Sequence, residues 1–182
     1  MKRIIVGISG ASGATLGLKF LESLPCGIEK YCVISKGAKE VLKLEESGRI
    51  DFHRVNNLKL LEDENLGECI ASGSFVCEAM AVIPCSSDTL AKIACGISDT
   101  LLLRAASVMI KEKRKLLLGV REMPLSAIML ENMLKLSHLG VIIAPPILGY
   151  YAGNCLEDIE KLLIGKWCDN LGIQYDYKRW RD

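Results

Sequence analysis

Near the start of the chain, the apolar run Ile4-Ile5-Val6-Gly7-Ile8 passes through Ser9 directly into Gly10-Ala11-Ser12-Gly13, and a helical pattern opens behind it. This order constrains the fold more than any other feature. A β-branched run followed by a glycine turn and a helix predicts a buried strand feeding a crossover, the opening unit of a parallel sheet. It also places a flexible backbone and the unpaired N–H groups of a helix start at one point, the layout of an anion cradle. The segment has neither the spacing of a dinucleotide fingerprint nor the Lys of a P-loop, so a purely structural turn remains the alternative.

The same alternation continues along the chain. Strands are expected at 3–9, 30–35, 79–84, 115–120 and 140–144, and helices near 12–24, 36–47, 87–96, 100–114, 125–138 and 155–171. Short apolar runs between longer amphipathic patterns predict an α/β fold with a mostly parallel sheet covered on both faces. The segment from Ile50 to Gly73, which carries Asn56-Asn57, reads as a connection with one short strand. A chain of 182 residues suffices for one domain, expected to span residues 1–182, and buries about 70% of its unfolded surface.

Composition narrows the partners. With 23 Lys and Arg against 22 Asp and Glu, a net charge of +1 gives no global case for nucleic acid or an anionic membrane. No apolar run reaches the length of a membrane span, and Met1-Lys2-Arg3 leads straight into a strand, so a soluble cytoplasmic protein is expected. The eight cysteines form no Cys-x-x-Cys pair. Cys32, Cys77, Cys85 and Cys95 lie in apolar patterns and read as buried free thiols. His53 and His138 have no ligand-spaced neighbours, so no protein metal site is expected.

In a parallel sheet, ligands bind beyond the carboxyl ends of the strands. The residues expected there are polar: Gly10, Ser12 and Gly13; Ser35 and Lys36; Cys85-Ser86-Ser87-Asp88-Thr89; Arg121-Glu122; and Pro145-Pro146 before Gly149-Tyr150-Tyr151. Each Ser is either a ligand contact or a helix N-cap. Arg104 lies within Leu101-Leu102-Leu103-Arg104-Ala105-Ala106, and a helix puts it on one stripe with Ser107 and Lys111. It either snorkels to the surface or builds an anion site, one that another subunit could complete. Arg121-Glu122 offers a planar fork for phosphate beside a carboxylate able to exchange a proton, or else a surface ion pair. Glu45 falls near a helix C-terminus, where the macrodipole disfavours an anion by about 0.3–1 kcal/mol. Tyr150-Tyr151 belongs to a loop over a cleft or to the core. The tail around Tyr177, Arg179 and Trp180 is too aromatic for a plain solvated end.

Taken in order, Gly10-Ala11-Ser12-Gly13, Pro84-Cys85-Ser86 with Thr89-Leu90, Asp99 before Arg104-Ala105-Ala106, Lys111-Glu112, Arg121-Glu122-x-Pro124, Leu130-Glu131-Asn132-Met133 and Pro145 through Tyr151 resemble the flavin prenyltransferases of the UbiX type. The resemblance covers nearly the whole chain. It implies a three-layer flavodoxin-like or Rossmann-like domain, assembled into a homo-oligomer, a dodecamer in that family. It also implies metal-independent transfer of a dimethylallyl group from dimethylallyl phosphate to N5 and C6 of reduced FMN. The product, prenylated FMN, would serve a UbiD-type decarboxylase.

By position, Gly10, Ala11, Ser12, Ser35, Ser86, Ser87, Asp88 and Thr89 would hold FMN, with Arg104 at its phosphate and Arg121 between flavin and prenyl phosphate. Lys111 from a neighbouring subunit, Glu122, Tyr151 and Lys166 would contact the prenyl phosphate, and Trp180 would close over it. Ser12 and Glu45 would manage the proton at N5, while Glu122 would relay one through the phosphate. Lys166 stands where the family usually has Arg, which keeps the charge and loses the bidentate fork. Two other readings compete. A related flavin-dependent cysteine decarboxylase would carry an early His and a Pro-x-Met-Asn segment, but no His precedes His53 and the late segment reads Pro145-Pro146-Ile147-Leu148. A non-catalytic FMN-binding accessory subunit would bind flavin and leave the prenyl phosphate unaltered.

Overall fold

The computed structural model describes residues 2–45, 52 and 55–181. Strand β1 (Arg3–Ile8) sits at the centre of the sheet because its side chains are apolar on both faces. Ile4, Val6 and Ile8 enter one core cluster, and Ile5 enters the other. Alternation along a pleated strand produces this split, and only a sheet covered on both sides can use it. Five further strands join it: β2 (Glu29–Ile34), β3 (Leu58–Leu61), β4 (Ala79–Cys85), β5 (Lys115–Val120) and β6 (Ile142–Ile143). Their order is β3-β2-β1-β4-β5-β6, and every pair is parallel.

Helices α1 (Ala14–Ser23), α2 (Lys36–Leu44) and α6 (Leu156–Leu171) supply the first cluster; α3 (Ser87–Cys95), α4 (Leu101–Lys111) and α5 (Ala127–His138) supply the second. The expected three-layer α/β architecture is therefore present. The chain winds outward from β1 to β3, then crosses back to β4, so the direction of winding reverses between β1 and β4. That switch point opens a crevice at the carboxyl edge.

Several expected boundaries shift for local reasons. Helix α1 begins at Ala14 rather than residue 12, because Gly13 takes a left-handed φ of 84°. The last strand shrinks from 140–144 to two residues, since Gly140 is also left-handed at φ 84° and Pro145 follows closely. Helix α4 stops at Lys111, ahead of Lys113 at φ 54°. The short strand expected between residues 50 and 73 is β3, paired to β2 at the sheet edge. His53 and the last two residues of the expected helix 36–47 lie outside the described residues. Cys32, Cys77 and Cys85 are buried free thiols, but Cys95 is exposed, because it ends α3 on the helix's outer side.

Four helices start on a hydroxyl that accepts the amide three residues ahead: Ser35, Ser86, Thr100 and Ser126. Helix α1 lacks such a cap and is set by packing instead. Gly17 lies against the backbone of Ile83, and a Cβ on it would overlap the Ile83 carbonyl oxygen. Gly17→Ala is expected to destabilise the protein by about 1–3 kcal/mol through overpacking against backbone that cannot yield. Urea unfolding beside the wild type measures this; an unchanged midpoint would show that α1 is free to move outward.

Candidate active site

The crevice is pinned by a residue that sequence reasoning did not single out. Ser9 is fully buried; its Oγ donates to the Pro84 carbonyl at 2.9 Å and accepts the Ser86 N–H at 2.8 Å. The end of β1 is thus stitched to both sides of the β4 turn. A small hydroxyl directly after a β-branched run was the available signal. Beyond Ser9, the turn lies on the start of α2, where a Cβ on Gly10 would come to 3.0 Å from Gly37 Cα. Only glycines permit that approach.

Glu45 follows α2 and reaches the same turn, its Oε1 accepting the Gly13 N–H at 2.8 Å. Its own helix dipole disfavours a carboxylate there, but the positive N-terminal end of α1 receives it. Ser12, beside it, is exposed and does not cap a helix, since Gly13 occupies the N-cap position without a side-chain bond. The cap alternative holds instead for Ser35 and Ser86: Ser35 Oγ accepts from Ala38 N–H at 3.1 Å, and Ser86 Oγ from Thr89 N–H at 3.2 Å. Ser86 Oγ also donates to Thr89 Oγ1 at 3.0 Å. Ser87 and Asp88 form the first turn of α3, with Asp88 paired to Lys92 at 3.3 Å. Cys85 is buried, and burial pushes its thiol up, which disfavours the thiolate.

Arg121 leaves the end of β5 with its backbone N–H bonded to the Cys85 carbonyl at 3.0 Å. Its side chain is exposed and lines two clefts. One, of about 440 Å³, is shared with Ser12, Gly13, Pro84 and Trp167. The other, of about 420 Å³, is shared with Glu122, Met133 and Pro145. Glu122 Oε1 accepts the Met123 N–H at 3.1 Å, and among the described residues no ion pair joins it to Arg121. The surface-pair alternative for these two residues is therefore not realised.

Toward α6, the ring of Tyr151 meets Trp180 edge-on, with centroids 5.2 Å apart. Tyr150 is 86% exposed, which removes the alternative that both rings pack in the core. Lys166 is exposed on α6, and Glu160 of the same helix lines the larger cleft while paired to Lys19 at 2.5 Å.

Two expected site residues lie apart. Arg104 is exposed on the outer side of α4, its Nε donating to the Ala71 carbonyl at 3.2 Å. Its apolar neighbours face the core, so the cost of burying a charge does not arise. The start of α4 is in turn fixed by buried Asp63, which accepts the Leu102 N–H at 2.9 Å. Lys111 ends α4 four residues before β5 begins, at the amino edge of the sheet, and pairs with Glu112. Because all strands are parallel, that edge is opposite the Gly10–Gly13 turn. Lys111 can reach such a crevice only on another copy of the chain.

Comparison with known proteins agrees with this geometry. The family model described as Flavoprotein matches residues 1–167. The flavin prenyltransferase UbiX of Helicobacter pylori is 50% identical over 184 residues, covering 98% of each chain. The crystal structure of AnUbiX (PadA1) in complex with FMN and dimethylallyl pyrophosphate superposes with a TM-score of 0.93 at 36% identity, covering 100% of this chain and 98% of that one. A dodecameric FMN-dependent UbiX-like decarboxylase from Escherichia coli O157:H7 gives the same TM-score of 0.93 at 40% identity, over 99% of this chain and all of the other.

Removing the Ser9 hydroxyl leaves the Ser86 N–H without its partner at the floor of the crevice. Ser9→Ala is expected to lower stability by about 1–3 kcal/mol. Chemical unfolding of the variant against wild type checks the value, and a loss below a few tenths would mean that water replaces the hydroxyl.

Proposed function

Since the chain belongs to the flavin prenyltransferases of the UbiX type, we propose that it joins a dimethylallyl group from dimethylallyl phosphate to N5 and C6 of reduced FMN. The prenylated FMN is released to a UbiD-type decarboxylase, and the working form is a homo-oligomer, a dodecamer on the example of the Escherichia coli relative. One observation carries the reading. A hydroxyl (Ser12) and a forked cation (Arg121) line one cleft, and an acid (Glu45) is bonded to the Gly13 N–H of that cleft's wall.

The residues at the carboxyl edge suit FMN. The turn at Gly10, Ala11 and Ser12 leaves backbone exposed, and nothing lies within 4 Å of where a Gly13 side chain would be. Ser35 and Ser86 through Thr89 open two more helices at this edge, offering amides and hydroxyls to a phosphate or a ring edge. Arg104 would hold the FMN phosphate across a subunit boundary. When bound, the reduced flavin supplies the nucleophilic positions and a π-surface.

Around the donor, Arg121, Lys166, Tyr151 and the partner subunit's Lys111 bind the prenyl phosphate. Their cations stabilise the charge that develops on the leaving group, a role other prenyl transferases give to a metal. The fork of Arg121 fixes phosphate orientation; Lys166 contributes charge without that fork. Glu122 holds a proton for a phosphate oxygen. Ser12 and Glu45 hold and move the proton at N5, which requires a carboxylate within hydrogen-bond reach of the turn. Trp180 and Tyr151 form an aromatic wall that excludes water.

Anaerobic incubation with reduced FMN and dimethylallyl phosphate is expected to yield, by mass spectrometry, a flavin heavier by a five-carbon unit. An unchanged FMN mass would favour the accessory-subunit reading instead. Glu45→Gln should keep FMN and slow prenylation by about 10²-fold, the lower end for a lost acid–base group; wild-type turnover would remove Glu45 from the mechanism. Arg104→Ala should lose FMN at working concentrations, and full affinity in a flavin-fluorescence titration would leave Arg104 as a surface residue bonded to Ala71.

A further inference from the structure

Helix α6 ends at Gly172, whose φ of 78° turns the chain back along the helix that it has just left. Ile173 and Tyr177 of the returning segment are buried. The Tyr177 ring occupies the space above Gly165, where a Cβ would overlap it. One turn further along the same stripe of α6, Asp169 takes the Tyr177 hydroxyl on Oδ2 at 2.5 Å. It also takes the Arg179 fork, Nη1 on Oδ2 at 2.6 Å and Nη2 on Oδ1 at 2.9 Å. The Arg179 guanidinium in turn stacks 4.5 Å from the Tyr177 ring centroid. Trp180, the next residue, is the one that meets Tyr151.

Isolated surface ion pairs contribute little, but this one is bidentate, stacked on a ring, and joined to a buried tyrosine. Chiefly through its bond from Arg179, the Asp169 carboxyl is held below the usual carboxylate range, and it is charged at neutral pH. One carboxylate therefore ties Tyr177 and Arg179 to α6 just ahead of Trp180.

Resting on the reading of Tyr151 and Trp180 as donor-site residues, we infer that Asp169 is a positioning residue for prenyl transfer: it anchors the tail through Tyr177 and Arg179, and so sets Trp180 against Tyr151 as a wall of the donor site. It touches neither flavin nor donor. Its loss affects donor capture and leaves the flavin cradle at the Gly10–Gly13 turn intact.

Kinetics of the full chain with dimethylallyl phosphate and reduced FMN test this, alongside trypsin cleavage after Lys178. Asp169→Asn is expected to raise the donor KM by about tenfold with kcat and FMN affinity little changed, and to speed tail cleavage by a similar factor. Arg179→Ala should do the same, and the double variant should be no worse than the more affected single one. In a Trp180→Ala background, Asp169→Asn should add nothing to the KM. A wild-type donor KM in both single variants overturns the inference. So does a full Asp169→Asn effect without Trp180, which would mean that Asp169 acts through Lys166, three residues before it on the helix. Should Asp169→Asn fail to fold, Arg179→Ala, with its altered side chain at the surface, carries the test. If the wild-type protein prenylates no flavin, the functional reading fails separately; equal tail cleavage in variant and wild type then overturns the anchor itself.

Discussion

The seat of α1 on β4 is the constraint on which the crevice depends. Gly17 lets the helix backbone come down onto the Ile83 carbonyl, and Ser9 ties the end of β1 to Pro84 and Ser86. Together they fix the height and the direction of the Gly10–Gly13 turn relative to the β4 turn. The amides of α1 and α3 then point into one space. Neither contact is directed at a ligand; one is close packing and the other a pair of buried hydrogen bonds, and together they make such chemistry possible.

Glu45 shows how local rules combine into a site. A carboxylate at the end of one helix is mildly unfavourable by itself, yet the fold brings that end to the uncapped start of another helix. Two unsatisfied helix ends compensate each other. The acid remains exposed, with its Oε1 bonded to the Gly13 amide. Lys111 is the counterpart case, a charge held at the amino edge of its own sheet, opposite the Gly10–Gly13 turn.

Strand and helix order was legible in the sequence because most strands are short apolar runs that end at or near a hydroxyl or a proline, and each α-helix is longer than any strand. The polar residues after the strands were legible for the same reason. The pairing of Gly13 with Glu45 was not, since 32 residues separate them and the unfavourable dipole hinted at use without naming a partner. Arg104 stood out through its neighbours: Leu101, Leu102 and Leu103 are buried, and the helical phase sets the fourth residue outward. Ser12 is not the helix cap, because a left-handed residue, Gly13, stands at the start of α1. The tail's aromatic content signalled packing, but its anchor is a lone Asp inside a helix, indistinguishable by pattern from any solvated acid.

The crevice sits where β1 meets β4, and the Ser9–Pro84 contact joins residues 75 positions apart. Local contacts cannot assemble it. Non-local strand pairing carries a loop-closure cost, and the crevice has both walls only once β1 and β4 have paired. A chain in which β1, β2 and β3 alone have paired has the glycine turn but no opposite wall. Any ligand of the crevice therefore binds only after the sheet's central seam has closed. Its binding energy is added wholly to the native state, and bound ligand shifts the folding equilibrium of the entire sheet.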